Sequence, residues 1–143
     1  MDNFFSIRDL EDLQEIVEKA KEVKANPLAN KELGKNKTLG LIFFNPSLRT
    51  RLSSQKAAYN LGMDVITLNV GSDGWSLETK DGAVMDEGKS EHIKEAAKVV
   101  SQYCDIIGIR CFAGLEDRIE DYQERVLRGF MEHATVTIVT LES

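Results

Sequence analysis

Thr38-Leu39-Gly40-Leu41-Ile42-Phe43-Phe44-Asn45-Pro46-Ser47-Leu48-Arg49-Thr50-Arg51 holds a strand, a turn and the opening of a helix in one stretch, and that order decides the fold. Thr38 to Phe44 is a continuous apolar run of strand length, as expected for a parallel strand covered on both faces. Pro46 pushes Asn45 into an extended conformation. Ser47 has the side chain of a helix N-cap, and the helix it opens runs to Leu61, where Gly62 supplies a left-handed stop.

Outward from this unit the same alternation repeats. Leu10, Leu13, Ile16, Val17, Ala20 and Val23 recur at helical spacing and predict an amphipathic helix over 7–24, packed on something and ended by Asn26-Pro27. A polar linker spans Asn30 to Lys37. After Gly62 come a strand Val65–Leu68, a long loop through 70–89, a helix over 91–103, a strand Ile106–Ile109, a helix over 119–133 and a strand Val136–Leu141. Ile93, Ala96, Ala97 and Val100 mark one buried helix face; Tyr122, Val126, Leu127 and Phe130 mark another. Four strands separated by helices imply an α/β fold, a doubly wound parallel sheet with helices on its faces. Ligands bind such sheets beyond the carboxyl ends of the strands, which places Ser47, the 70–89 loop and Arg110 at one edge.

The first turn of the Ser47 helix carries the chemistry. Helix N-termini favour acids, because unpaired N–H groups leave partial positive charge there. Here Arg49 and Arg51 occupy that end, and no Asp or Glu occurs from Asn45 to Tyr59. With Ser47 as N-cap, the amides of Leu48, Arg49 and Thr50 converge on the point where a phosphate or carboxylate binds. Arg49 adds a bidentate fork and Thr50 a hydroxyl donor. Arg51 lies about 200° around the helix from Arg49, so it takes a supporting or ion-pairing role. The competing reading is a simple cap with both arginines paired to surface carboxylates.

The whole chain narrows the choices. Its 143 residues suit a single domain, 1–143. A net charge of −6, from 18 basic and 24 acidic residues, argues against nucleic-acid or anionic-membrane partners. No apolar stretch reaches membrane-span length, and the first residues lack a signal-peptide pattern, so a soluble cytoplasmic protein is expected. Cys104 and Cys111 form no CxxC pair and have no histidine at ligand spacing, so neither a zinc site nor a nucleophilic thiol is supported. His92 reads as a helix-start residue and His133 as a cation suited to a helix C-terminus. No G-x-x-x-x-G-K-[ST] or G-x-G-x-x-G follows the first strand, which removes support for nucleotide binding.

Ser47-Leu48-Arg49-Thr50-Arg51 after a Phe-rich strand resembles the S-x-R-T-R carbamoyl-phosphate signature of the aspartate and ornithine carbamoyltransferases. Trp75 in the long loop and Asp105-Ile106-Ile107-Gly108-Ile109-Arg110 fit the same family, and the resemblance covers essentially the whole chain as the carbamoyl-phosphate-binding half. It implies that Ser47, Leu48, Arg49, Thr50, Trp75, Ser90 and Arg110 bind substrate, with Arg49, Thr50 and Arg110 acting in catalysis. Arg110 would contact the carbonyl oxygen of carbamoyl phosphate; read from its neighbours alone, it equally suits a pair with Glu116 or Asp117. Trp75 would reach into a neighbouring subunit's site, its alternative being a loop anchor on its own domain.

Leu48 stands where S-T-R-T-R has threonine, and with Trp75 in the second loop the pattern looks most like the branch that uses N-acylated ornithines. The position matching Ser90 is glutamate in the acetylornithine type. A neutral Ser90 places no anion beside a succinyl carboxylate, which favours N-succinylornithine. The resemblance further implies a homotrimer with shared sites, a role in arginine biosynthesis, and no metal or organic cofactor. The family's H-P-x-Q segment and amino-acid-binding second domain are absent from the sequence, so the chain alone is expected to bind carbamoyl phosphate without turnover. The alternative is a noncatalytic anion-binding α/β module.

Overall fold

The computed structural model describes residues 3–72, 75–79, 82, 90–115 and 118–142. In chain order the elements are α1 (Leu13–Ala25), β1 (Thr38–Phe43), α2 (Leu48–Leu61), β2 (Asp64–Asn69), β3 (Leu77–Glu78), β4 (Glu91–His92), α3 (Ile93–Ser101), β5 (Ile106–Arg110), α4 (Arg118–Gln123), α5 (Arg125–His133) and β6 (Thr137–Glu142). Four strands form the expected parallel sheet in the order β2-β1-β5-β6. Burial of Leu41, Ile42 and Phe43 in succession shows why β1 is apolar without alternation, since neighbouring residues point to opposite faces and both faces are covered. Ile42 packs with Ile107, Ile109, Ile138 and the α3 and α5 side chains Ala96, Ala97, Leu127 and Phe130. Each large side chain buried this way contributes about 1.5–3 kcal/mol.

Local chemistry fixes the element ends. Gly62 closes α2 at φ 81, and a Cβ there would come within 2.1 Å of the Lys31 carbonyl oxygen, so the position needs glycine for both conformation and space. Gly129 lets α5 approach α3, where a Cβ would meet Ile93 Cδ1 at 2.9 Å.

Several boundaries differ from the sequence reading. The predicted 7–24 helix is a short 3-10 turn, Ile7–Asp9, followed by α1, because Ser6 and Asp9 form a capping box on the turn and the Asp12 carboxylate accepts from Gln14 and Glu15 N–H to start the helix anew. No residue of α1 is buried; Leu13, Ile16 and Val17 are 50%, 44% and 40% exposed, so this part of its apolar stripe is left largely open by the described residues. The predicted 119–133 helix is two, since Glu124 adopts φ 46 between α4 and α5. That left-handed residue rotates α4 away from the α5 stripe, leaving Tyr122 70% exposed while Leu127 and Phe130 are buried. The expected helix over 91–103 begins at Ile93, with His92 as N-cap accepting from Lys94 N–H at 3.2 Å. Residues 91–92 instead pair in parallel with β3, which falls inside the expected 70–89 loop.

Candidate anion site at the carboxyl edge

The register brings the ends of three strands level. Phe43 lies opposite Asn69 on one side and Arg110 on the other, so the β1–α2 turn rises between two polar strand ends. Ser47 is the N-cap of α2 in an extended conformation; its Oγ accepts from Thr50 N–H at 3.2 Å and donates to Thr50 Oγ1 at 2.8 Å. Thr50 is buried, at 8% exposure, and the first turn holds no acid. Arg49 is exposed and forms no salt bridge among the described residues. Leu48 is 74% exposed at the same turn. An outward apolar side chain, an outward cation and a cluster of helix amides thus share one surface.

Arg51 points elsewhere, as its helical offset demands. Its Nη2 donates to Asn69 Oδ1 and its guanidinium lies 4.9 Å from the centre of the Phe43 ring. Among the described residues, the partners of Arg51 are a neutral amide and an aromatic face rather than a carboxylate.

Arg110 is 7% exposed. Its Nη1 donates to the carbonyl oxygens of Asn45 at 3.0 Å and Pro46 at 2.9 Å, and its guanidinium sits 4.0 Å from the Phe112 ring centre. The cation is therefore tied to the backbone of the turn that presents Ser47. Glu116 and Asp117, its alternative partners, lie outside the described residues.

Trp75 and Ser90 belong to the β3–β4 unit. The Trp75 indole donates to Glu91 Oε2 at 3.1 Å and lines an apolar groove of about 290 Å³ with Ile66, Leu68, Val99, Tyr103 and Cys104. In the single chain it lies against its own domain, and none of Ser47 to Thr50 lines that groove. Asp73 and Gly74, part of the exposed setting expected for it, lie outside the described residues. Ser90 is clasped to Ser76: Ser90 N–H donates to the Ser76 carbonyl at 3.0 Å and its Oγ at 3.1 Å, Ser76 N–H donates to Ser90 Oγ at 3.3 Å, and the two hydroxyls are 3.2 Å apart. The structure thus gathers Ser47, Leu48, Arg49, Thr50 and Arg110 at the sheet edge and places Trp75 and Ser90 together beside it. Asn69, Ser76 and Glu91 are not singled out by the sequence, and Asn45 is read there only as the extended residue before Pro46; each is polar at a strand or turn end, a signal too common to separate from ordinary loop residues.

Neither thiol suits nucleophilic work. Burial, with Glu124 nearby, pushes the Cys111 thiol up to about 11, and burial, aided by Asp105, raises that of Cys104. Among the described residues no three His, Cys, Asp or Glu side chains gather as a metal site, and no helix is long and apolar enough to cross a membrane.

Residues 2–142 match the family model described as aspartate/ornithine carbamoyltransferase, carbamoyl-P binding domain. The N-succinylornithine carbamoyltransferase of Bacteroides thetaiotaomicron is 47% identical over 143 residues, which is 100% of this chain and 45% of that protein. The N-acetylornithine carbamoyltransferase of Xanthomonas campestris pv. campestris is 39% identical over 109 residues, 76% of this chain and 32% of its own. Among solved structures, a glutamate-to-serine variant of N-acetyl-L-ornithine transcarbamylase complexed with carbamyl phosphate and N-succinyl-L-norvaline superposes with a TM-score of 0.91 at 35% identity, over 99% of this chain and 43% of that one. Acetylornithine transcarbamylase complexed with acetylcitrulline gives 0.89 at 34% identity, over 99% and 42%. The chain spans less than half the length of these relatives. A matched domain model, a shared parallel sheet and an acid-free basic turn at its carboxyl edge agree: the chain belongs to the aspartate/ornithine carbamoyltransferase family.

Proposed function

We propose that the chain is the carbamoyl-phosphate-binding half of an N-acylornithine carbamoyltransferase of arginine biosynthesis. The observation that carries this is the first turn of α2, which has no acid, presents Arg49 without a salt bridge among the described residues, and stands beside buried Arg110. In the reaction the δ-amine of the acylated ornithine attacks the carbamoyl carbon, and the tetrahedral intermediate collapses by expelling phosphate. The amides of Leu48 and Arg49, with the Arg49 guanidinium and the Thr50 hydroxyl, hold the phosphate as its charge grows, while the Thr50 N–H, read from the sequence as a third free donor, is already given to Ser47 Oγ. Arg110 faces the carbonyl oxygen. This is stabilisation by fixed dipoles and cations.

N-succinylornithine is the favoured acceptor. Ser90 brings no carboxylate to its position, and a serine in place of glutamate in the acetylornithine enzyme accompanies a succinyl ligand in a solved complex. The 47% relative acts on the same substrate by name. Trp75, on a neighbouring subunit of a cytoplasmic homotrimer, would close over the phosphate; to do so it must leave the groove and the Glu91 bond it holds in the single chain. Residues 1–143 by themselves are expected to bind carbamoyl phosphate without turnover, since they correspond to less than half the length of the relatives they match.

Calorimetric titration of the chain with carbamoyl phosphate, inorganic phosphate and ATP tests the reading. Carbamoyl phosphate is expected to bind most tightly, and Arg49→Ala to weaken it by roughly 30- to 100-fold through loss of a charge-assisted contact. Equal or tighter ATP binding, or an indifferent Arg49→Ala variant, would overturn it. Equal affinity for carbamoyl phosphate and phosphate would favour a noncatalytic anion-binding module.

A further inference from the structure

We infer that Asn45 is a positioning residue for the anion turn, an inference that rests on the carbamoyl-phosphate reading above. Asn45 stands between the end of β1 and the N-cap of α2, and it joins the two strand ends that build the site. Its side-chain Oδ1 accepts the Phe112 N–H at 2.8 Å across 67 residues of sequence. Its backbone carbonyl accepts from Arg110 Nη1 at 3.0 Å. Phe44 N–H donates to the Arg110 carbonyl at 2.9 Å, which extends the β1–β5 pairing one residue into the turn. The Phe112 ring lies under the Arg110 guanidinium at 4.0 Å.

Asn45 therefore touches both ends of a closed loop of contacts: its amide oxygen holds the backbone of Phe112, whose ring holds Arg110, whose Nη1 holds the carbonyl of Asn45. Pro46 and Ser47 follow directly, so the orientation of this residue sets where the Leu48 and Arg49 amides and the Thr50 hydroxyl converge. Pro46 has no N–H and a fixed φ, which leaves the turn few internal bonds to set its own direction. The hold from β5 supplies what the turn lacks.

The residue type matters as well as the bond. An asparagine accepts the Phe112 N–H without adding a fixed negative charge beside Arg110 and a phosphate. Aspartate would accept equally well and would compete with the ligand for the cation. The geometry thus calls for an acceptor that is neutral.

Two substitutions separate these effects. Asn45→Ala is expected to speed hydrogen exchange of the Phe112 amide and to lower carbamoyl-phosphate affinity about tenfold. Asn45→Asp keeps the acceptor, so Phe112 stays protected and the fold is retained, yet affinity is expected to fall by roughly 100-fold. In a double-mutant cycle, Asn45→Ala is expected to add little in an Arg110→Ala background, whereas a purely structural role would give additive losses. Wild-type affinity in Asn45→Asp, or additivity in the cycle, overturns the inference while leaving the anion site standing. If the unmodified chain binds carbamoyl phosphate no better than its Arg49→Ala variant, the anion site itself fails and the inference falls with it.

Discussion

The anion turn and the Trp75–Ser90 unit flank the same sheet but are held in different ways. The turn grows from β1, a central strand whose residues Leu41, Ile42 and Phe43 are buried, and it is tied across to β5 by the Asn45 and Arg110 bonds. The Trp75–Ser90 unit rests on strands of two residues each, closed by a pair of serine hydroxyls and one indole bond to Glu91. On the reading proposed above, phosphate recognition would sit where the fold is most constrained. Acyl-group selection would sit on two-residue strands held by a few weak bonds.

The largest effect is expected on the constrained side. Arg110→Ala removes a buried cation and strands the carbonyls of Asn45 and Pro46, at a cost of about 3 kcal/mol in stability, with carbamoyl-phosphate affinity lost as well. Chemical denaturation beside calorimetry checks it, and a variant of unchanged stability would show that the turn does not depend on β5. Cys111, next to Arg110, gives a chemical measure of the same packing. Its thiol is raised to about 11, so at pH 8 iodoacetamide is expected to alkylate it about 100-fold more slowly than an ordinary thiol, with the rate still climbing past pH 10. The sign for stability follows: the protonated thiol contributes fully below its ordinary value of 9.0, and the contribution is lost as pH rises toward about 11. A rate that levels off near pH 9 would mean that Cys111 is solvated.

On the other side, Trp75→Ala is expected to cost about 2 kcal/mol by removing one wall of the groove over β2 and α3 and its packing on the core. Carbamoyl-phosphate affinity of the isolated chain should move by about twofold at most. A tenfold drop would merge the two regions into one site within a single chain. The smallest change is Ser90→Ala, which leaves Ser76 to other partners and should cost about 0.5–1 kcal/mol by thermal melting.

Legibility in the sequence follows the same divide. The four strands, the Ser47 cap and the Gly62 stop were readable because each rests on local rules: an unbroken apolar run, an N-cap side chain, a residue free to adopt positive φ. The β3–β4 pair was not, since two-residue strands have no period to detect. Glu124 was not either, as nothing in its neighbours announces a left-handed residue. For α1 the stripe of Leu13, Ile16 and Val17 is legible as a pattern, but not what covers it, because periodicity names a face and says nothing of its partner. In the site, Arg49 and Thr50 could be found from charge and spacing alone. Trp75, Ser90 and the role proposed for Arg110 are suggested only by the family resemblance, and the bonds of Asn45 only by coordinates, because its partners are 65 and 67 residues away.

Arg110 reaches the ligand edge only because β5 stands in one alignment against β1, with Phe43 opposite it. Side chains along a strand alternate between faces, so sliding β5 by a single residue would present Ile109 there instead and turn the guanidinium away. If the proposed anion site holds, its affinity would therefore also be an assay of correct assembly: a chain that has collapsed with its strands misaligned would look folded by its helices and still be blind to phosphate.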